Sequence, residues 1–286
     1  MTNKNVVIYG AAGWLGRLTI NYILKNNIDV NLLLVSSKNI DLSFSKVKFK
    51  SISYSEFQKL ENQNFEYFFN YGFLTQEKLE SMSEKEYLTT TEQIINSYSN
   101  FMKKNKVKKS LLTSSGAVYW KGTHKENLYT TQKLQQEYKF QLINSQLNRE
   151  YIIARIFGVI GGQFDFNKNY AFTSFIKSGM KNESISINSK YKVLRSYLYF
   201  ENLLDYFFDL ENKNLTIDAW DANFDIYELA LKVAEIFSVK VNINDEYFVS
   251  EEVDKYISLD DTFKNIYNFK FSKNNLEKVI KEKKIF

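Results

Sequence analysis

Tyr129 and Lys133 stand four residues apart in Tyr129-Thr130-Thr131-Gln132-Lys133, the spacing that puts two side chains on one face of a helix. An ammonium beside a phenol lowers the phenol's pKa from about 10, so such a tyrosine can exchange a proton near neutrality. Upstream, Leu111-Leu112-Thr113-Ser114-Ser115 ends an apolar run on hydroxyls, and a serine at that strand end would hydrogen-bond a reacting carbonyl. A second motif, Gly10-Ala11-Ala12-Gly13-Trp14-Leu15-Gly16, follows directly on the apolar run Val6 to Tyr9. Gly10 permits a tight turn, Gly13 lets backbone N–H groups approach a pyrophosphate, and Gly16 allows a helix to pack closely on a strand. The helix N-terminus would face the anion. The spacing is GxxGxxG rather than the commoner GxGxxG, and its placement after a strand and before a helix predicts dinucleotide binding.

The end of the second strand normally supplies the group that reads the adenine ribose. Here it reads Val35-Ser36-Ser37-Lys38. No carboxylate is present to accept from a 2′-hydroxyl, whereas two hydroxyls and an ammonium suit a 2′-phosphate, so NADP(H) is favoured and NAD(H) is possible. Asp41 follows closely, and the same residues would also suit a polar loop facing water. The chain has no cysteine and one histidine, His124. That excludes disulfides, thiolate zinc sites, cysteine nucleophiles and any metal site or triad needing more than one histidine. His124 falls in the loop before Tyr129, where it could touch substrate or be merely solvated.

These residues need a scaffold, and short apolar runs alternating with helical-period segments provide one. The runs are Val6 to Tyr9, Leu32 to Val35, Val47 to Ile52, Tyr67 to Phe69, Leu111 to Thr113 and Tyr151 to Ile156. Amphipathic helices are expected around Leu15, Leu18, Tyr22 and Ile23, around Ile94 to Met102, and around Leu134, Tyr138 and Leu142. The alternation predicts an α/β fold, a Rossmann-type doubly wound parallel sheet, over residues 1–160. Residues 161–286 are less regular and are expected to form a smaller substrate-binding lobe that returns elements to the sheet. The 286 residues carry 38 basic and 33 acidic side chains, spread in twos and threes. This is a solvated surface rather than a nucleic-acid footprint. The first apolar run is too short for a signal peptide or a membrane span, which points to the cytoplasm. With no proline in the chain, turns must rely on Gly, Asn, Asp and Ser.

Taken together, the motifs resemble the short-chain dehydrogenase/reductase superfamily, in its extended branch of nucleotide-sugar epimerases, dehydratases and reductases. The resemblance spans essentially the whole chain. It rests on the glycine motif, Thr113 to Tyr119, the Tyr129 and Lys133 pair, Arg155-Ile156-Phe157-Gly158-Val159-Ile160-Gly161, and Arg195 to Leu203. It implies that Ser115 positions the substrate oxygen, Tyr129 is the acid and base, and Lys133 tunes it and holds the nicotinamide ribose. Arg195 would grip the substrate diphosphate with its planar fork; Gly116 and His124 are further candidates for contact with the substrate. The implied cofactor site takes in Gly10, Ala12, Gly13, Trp14, Leu15 and Gly16, then Ser36, Ser37 and Lys38, and further on Tyr71, Gly72, Thr113 and Phe157. Helices near 88–106 and 130–147 would make the homodimer contact common in that superfamily, although packing within one chain explains the same pattern.

The chain also departs from that pattern. The segment between Ser115 and Tyr129 is short, Asn70-Tyr71-Gly72 replaces a His-Leu-Ala-like strand end, and Gly158 stands where an asparagine is frequent. Gly116-Ala117 replaces the acidic pair of the dehydratases, and dehydration needs such an acid and base. The expected activity is an NADP(H)-dependent reduction of a keto group, at C4, of a nucleotide-linked hexose. The alternatives are an NAD-dependent C4 epimerase, which uses the same residues, and a non-catalytic NADP(H)-binding redox sensor.

Overall fold

Val6, Val7, Ile8 and Tyr9 are all buried, so the first strand is covered on both faces, as in a parallel sheet flanked by helices. The computed structural model describes residues 4–44, 47–161, 170–209, 214–267 and 276–277. The chain runs β1 (Lys4–Tyr9), α1 (Trp14–Lys25), β2 (Val30–Ser36), β3 (Asp41–Phe44), β4 (Val47–Lys50), β5 (Ile52–Ser53), α2 (Tyr54–Phe57), β6 (Asn64–Asn70), α3 (Gln76–Ser81), α4 (Glu84–Lys104), β7 (Lys106–Ser115) and α5 (Leu128–Gln146). It continues through β8 (Glu150–Ile156), β9 (Val159–Ile160), α6 (Ala171–Met180), β10 (Ile185–Ile187), β11 (Lys192–Tyr199), α7 (Phe200–Asp209), β12 (Asn214–Ala219), β13 (Ala222–Asp225), α8 (Ile226–Phe237), β14 (Val241–Ile243), α9 (Glu246–Val249), β15 (Val253–Tyr256) and α10 (Thr262–Tyr267).

Two compact units form. One comprises Met1–Arg155 with Phe207–Ile217, the other Ile156–Tyr206 with Asp218–Phe286. The first holds a seven-stranded sheet in the order β12-β8-β7-β6-β1-β2-β5, with β1 parallel to β2 and β6, and β6 parallel to β7. Sequential strands step outward from β1 in one direction and then in the other. This Rossmann-like order opens a crevice beyond the carboxyl ends of β1 and β6, where ligands bind in such sheets. On one face Phe57, Phe68, Tyr98, Phe101 and Phe140 fill the core beneath α4 and α5. On the other, Phe207 meets Phe69 at 4.7 Å and Phe208 stacks on Tyr22 at 5.9 Å.

In the second unit, β11 pairs parallel with β9 and β15 and antiparallel with β13. Phe172, Phe175 and Ile176 of α6 pack with Leu229 and Val233 of α8. Without proline, helix ends rely on asparagine. Asn27, Asn148 and Asn182, just beyond α1, α5 and α6, adopt positive φ angles of 49°, 50° and 57°, a conformation asparagine tolerates better than most side chains.

Two local expectations are corrected. The run Val47 to Ile52 is not one strand, because Val47–Lys50 turns back antiparallel on Asp41–Phe44 and only Ile52–Ser53 joins the main sheet. Ser51 marks the break: it is buried, and its N–H bonds Ile40 O. Nor does α5 bury the stripe of Leu134, Tyr138 and Leu142. Tyr138 and Leu142 are exposed, and the covered face is Thr130, Gln132, Lys133, Gln136, Glu137, Phe140, Ile143 and Asn144. A mostly polar buried stripe defeats a search for apolar periodicity.

Candidate active site

The turn between β1 and α1 is built from backbone contacts that side chains would prevent. Gly10 has φ +87°, and a Cβ there would lie 2.8 Å from Gly72 N. At Gly16 a Cβ would lie 2.5 Å from Gly10 O and 2.7 Å from Ala11 Cα, so α1 presses directly on the turn. Gly10 and Ala11 donate N–H groups to Val35 O at 2.9 Å, fastening the turn to β2. Gly13 differs, since a Cβ there would meet only Gly10 O, at 3.3 Å. It is the N-cap of α1, with no side-chain cap and no acidic residue in the first turn. The helix amides beside Trp14 and Leu15 therefore keep the partial positive charge that suits a pyrophosphate. Ala12 O accepts from Arg17 Nε at 3.1 Å. These residues fit a dinucleotide.

At the end of β2 the three polar residues separate. Ser36 is buried and donates to Ser51 Oγ at 2.6 Å, whereas Ser37 and Lys38 are exposed. At the end of β6, Tyr71 donates its N–H to Tyr9 O at 2.8 Å, and its hydroxyl bonds Thr19 Oγ1 at 2.7 Å. Gly72 lies against the Tyr9 ring, which a Cβ would approach to 2.3 Å.

The residues at the end of β7 and the start of α5 form a polar cluster. Ser115 Oγ accepts from Ala117 N at 3.2 Å and so starts the 3-10 turn Gly116–Trp120. Thr130 ties α5 to that turn by donating to Ala117 O at 3.2 Å, and Asn127 caps the helix through Thr130 N. Lys133 is buried. Its ammonium donates to Thr113 O at 3.3 Å and to Gln136 Oε1 at 3.1 Å, and lies 4.1 Å from the centre of the Phe73 ring. The same ring meets Tyr129 edge-on at 6.2 Å, so one aromatic side chain touches both members of the pair. Burial pushes the Lys133 ammonium down to about 7, against the opposing pull of Glu137. Glu137, one turn further along α5, takes a two-pronged ion pair from Arg155 at 3.0 and 2.8 Å, and Arg155 also donates to Tyr119 OH at 3.1 Å.

Other candidates have neighbours of their own. His124 is exposed in the loop Lys121 to Glu126, which an ion pair between those two residues closes. Phe157 and Arg195 belong to the second unit. Phe157 packs on Tyr256 at 5.1 Å, while the guanidinium of Arg195 donates to Asp254 O at 3.0 Å and pairs with the Asp254 carboxylate. A diphosphate at Arg195 would compete with Asp254. Among the described residues no group of three His, Cys, Asp or Glu could hold a metal, and no helix is long and apolar enough to cross a membrane.

Sequence reasoning missed Phe73, Gln136 and Glu137. Glu137 follows Lys133 by four residues, a legible i, i+4 pair. Phe73 carried no signal, since its role depends on how the loop after β6 folds.

The fold is shared with solved structures at low sequence identity. UDP-glucose 4-epimerase from Thermotoga maritima, with UDP-glucose, superposes with a TM-score of 0.72 at 14% identity, covering 97% of this chain and 98% of that one. UDP-N-acetylglucosamine 4-epimerase from Methanobrevibacter ruminantium, in complex with UDP-N-acetylmuramic acid, gives 0.68 at 17%, covering 99% and 97%. dTDP-glucose 4,6-dehydratase from Bacillus anthracis, in complex with NAD, gives 0.68 at 10%, covering 98% and 96%. No curated protein matches the sequence. The model of the NAD dependent epimerase/dehydratase family matches residues 6–214, a span that includes the glycine turn, Ser115, Tyr129 and Lys133. This chain is a member of the NAD dependent epimerase/dehydratase family.

Proposed function

We propose that the protein is a nucleotide-sugar C4 epimerase that uses NAD(H), with Tyr129 as acid and base. The observation that carries this reading is the Lys133 ammonium, held by Thr113 O and Gln136 with Phe73 in contact with both Lys133 and Tyr129. In this reading the turn from Gly10 to Gly16 and the open start of α1 hold the pyrophosphate, and Lys133 binds the nicotinamide ribose. A bound nicotinamide supplies the oxidising and reducing capacity. Tyr129 takes the proton of the sugar 4-hydroxyl as that carbon is oxidised, and returns a proton to the oxygen when the 4-keto sugar is reduced on its opposite face. Ser115 orients the same oxygen, and Lys133 favours the phenolate by its charge. Arg195 is the proposed diphosphate ligand, in competition with Asp254. Gly116 and Ala117 carry no acid or base, which speaks against a dehydratase. The 4-epimerases among the structural relatives support the reading.

A second reading, an NADP(H)-dependent 4-keto reductase, is favoured by the exposed Ser37 and Lys38 and by the absence of a carboxylate at the end of β2. The inward turn of Ser36 removes one of the three groups that suit a 2′-phosphate. Native mass spectrometry of the purified protein separates the two. Retained NAD with C4 inversion of UDP-hexoses by NMR supports the epimerase, whereas an empty site that prefers NADPH supports the reductase. Tyr129→Phe is expected to lower turnover by at least about 100-fold with cofactor binding intact. Undiminished turnover would remove Tyr129 from the chemistry under either reading.

A further inference from the structure

Gln136 lies one turn beyond Lys133 on the buried face of α5 and makes two contacts of different kinds. Its Oε1 accepts from Lys133 Nζ at 3.1 Å, and its Nε2 donates to Gly72 O at 3.3 Å. The amide has only one workable orientation, because an ammonium can only donate and a carbonyl oxygen can only accept. Gln136 is almost fully buried, so neither contact can be replaced by bulk water without cost. Gly72 is the residue that Gly10 presses against in the proposed cofactor turn. One side chain therefore joins the ammonium to the strand end on the cofactor side.

We propose that Gln136 is a positioning residue, which holds the Lys133 ammonium in place by bracing it against the Gly72 carbonyl. The proposal rests on the reading in which Lys133 serves Tyr129 and the nicotinamide ribose. A burial-strained ammonium needs its acceptors: Thr113 O and Gln136 Oε1 supply two, and the Phe73 face covers it on another side. The charged and titratable groups around it are Glu137 and Tyr129 on α5, with Arg155 of β8 pairing Glu137 and Tyr87 of α4 acting on Tyr129. Gln136 is the neutral member of this set. Replacing its carbonyl dipole with an alkyl group should lower the ammonium's titration, which the loss of a purely space-filling side chain would not do, whereas a carboxylate there raises it by its own charge.

The test follows the Lys133 side chain by NMR across a pH series in the full chain, with Lys133→Met assigning the signal, alongside fluorescence titration with NADH. Gln136→Leu is expected to move the Lys133 midpoint to lower pH and to weaken NADH binding at about pH 8 by roughly 3- to 10-fold. Gln136→Glu is expected to move the midpoint upward through its charge, and also to weaken NADH binding, because a carboxylate cannot donate to Gly72 O. If Gln136→Leu fails to fold, Gln136→Asn, too short to span both partners, should shift the midpoint in the same direction as Leu. Unmoved midpoints in folded Gln136 variants, with NADH binding lost in Lys133→Met, would overturn the role of Gln136 and leave the proposed function standing. Unchanged NADH binding in Lys133→Met and unchanged turnover in Tyr129→Phe would overturn both.

Discussion

Asp221 offers a measurement independent of any ligand. It is buried in the second unit, with one carboxylate oxygen 2.6 Å from the N–H of Tyr199 at the entrance to α7. Burial lifts its pKa from the usual 3.8 to about 6, against the lowering effects of the Tyr199 N–H and Asn202. A carboxyl whose folded pKa lies above its unfolded value binds its proton more tightly when folded, so stability falls as pH rises from about 4 to about 6. The full cost is about 3 kcal/mol, and roughly 2 of that accrues between about pH 4.5 and 7.5. Asp221→Asn cannot ionise, so its stability relative to the parent should improve by roughly 2 kcal/mol across that interval, whatever constant penalty the weaker Tyr199 bond adds. Urea unfolding of both proteins at the two pH values measures the difference, and the comparison cancels every other titrating group they share. A stability difference that stays constant with pH, or that turns against Asn as pH rises, would refute the reasoning.

Other perturbations report on the cluster around α5 and on the turn. Lys133→Met should abolish turnover and yet stabilise the fold, more at about pH 6 than at about pH 10, because an ammonium held near 7 costs stability below its unfolded pKa; thermal melts at the two pH values check the sign. Glu137→Gln leaves the partly buried Arg155 guanidinium with Tyr119 and without its carboxylate, at an expected cost of about 1–3 kcal/mol in urea unfolding. Gly16→Ala should cost roughly 2 kcal/mol or more, or abolish NADH binding, since its Cβ would meet backbone atoms at 2.5 and 2.7 Å. Calorimetry together with a binding titration reads both effects.

The sheet was legible because its strands are apolar runs and its turn is spelled in glycine. Gly10, Gly13 and Gly16 can be read from spacing, and each occupies a place that only a missing side chain explains or leaves open. Tyr129 and Lys133 were legible for the same reason, since helical spacing is local. What escaped was non-local. The buried face of α5 is polar because Lys133, Gln136 and Glu137 find partners on β7, on the loop after β6 and on β8. Nothing in the helix sequence distinguishes those residues from a solvated stripe. Ser36 was misleading in the same way, since its hydroxyl meets Ser51, a residue fifteen positions away whose burial follows from the β3–β4 hairpin.

The order in which the chain visits its two units has a bearing on its synthesis. The first unit is left at Arg155 and not completed until Ile217, when β12 takes its place beside β8 and Phe207 and Phe208 cover Tyr67 and Phe69. A ribosome adding about 5–20 residues per second needs roughly 3–12 s to cross that interval. During it, β8 presents an unpaired edge and the aromatic face of β6 has no cover, the combination that invites wrong pairing with another chain. The nascent protein therefore still carries an uncovered strand edge and an uncovered aromatic face midway through synthesis, after the cofactor turn and the α5 residues have already been made.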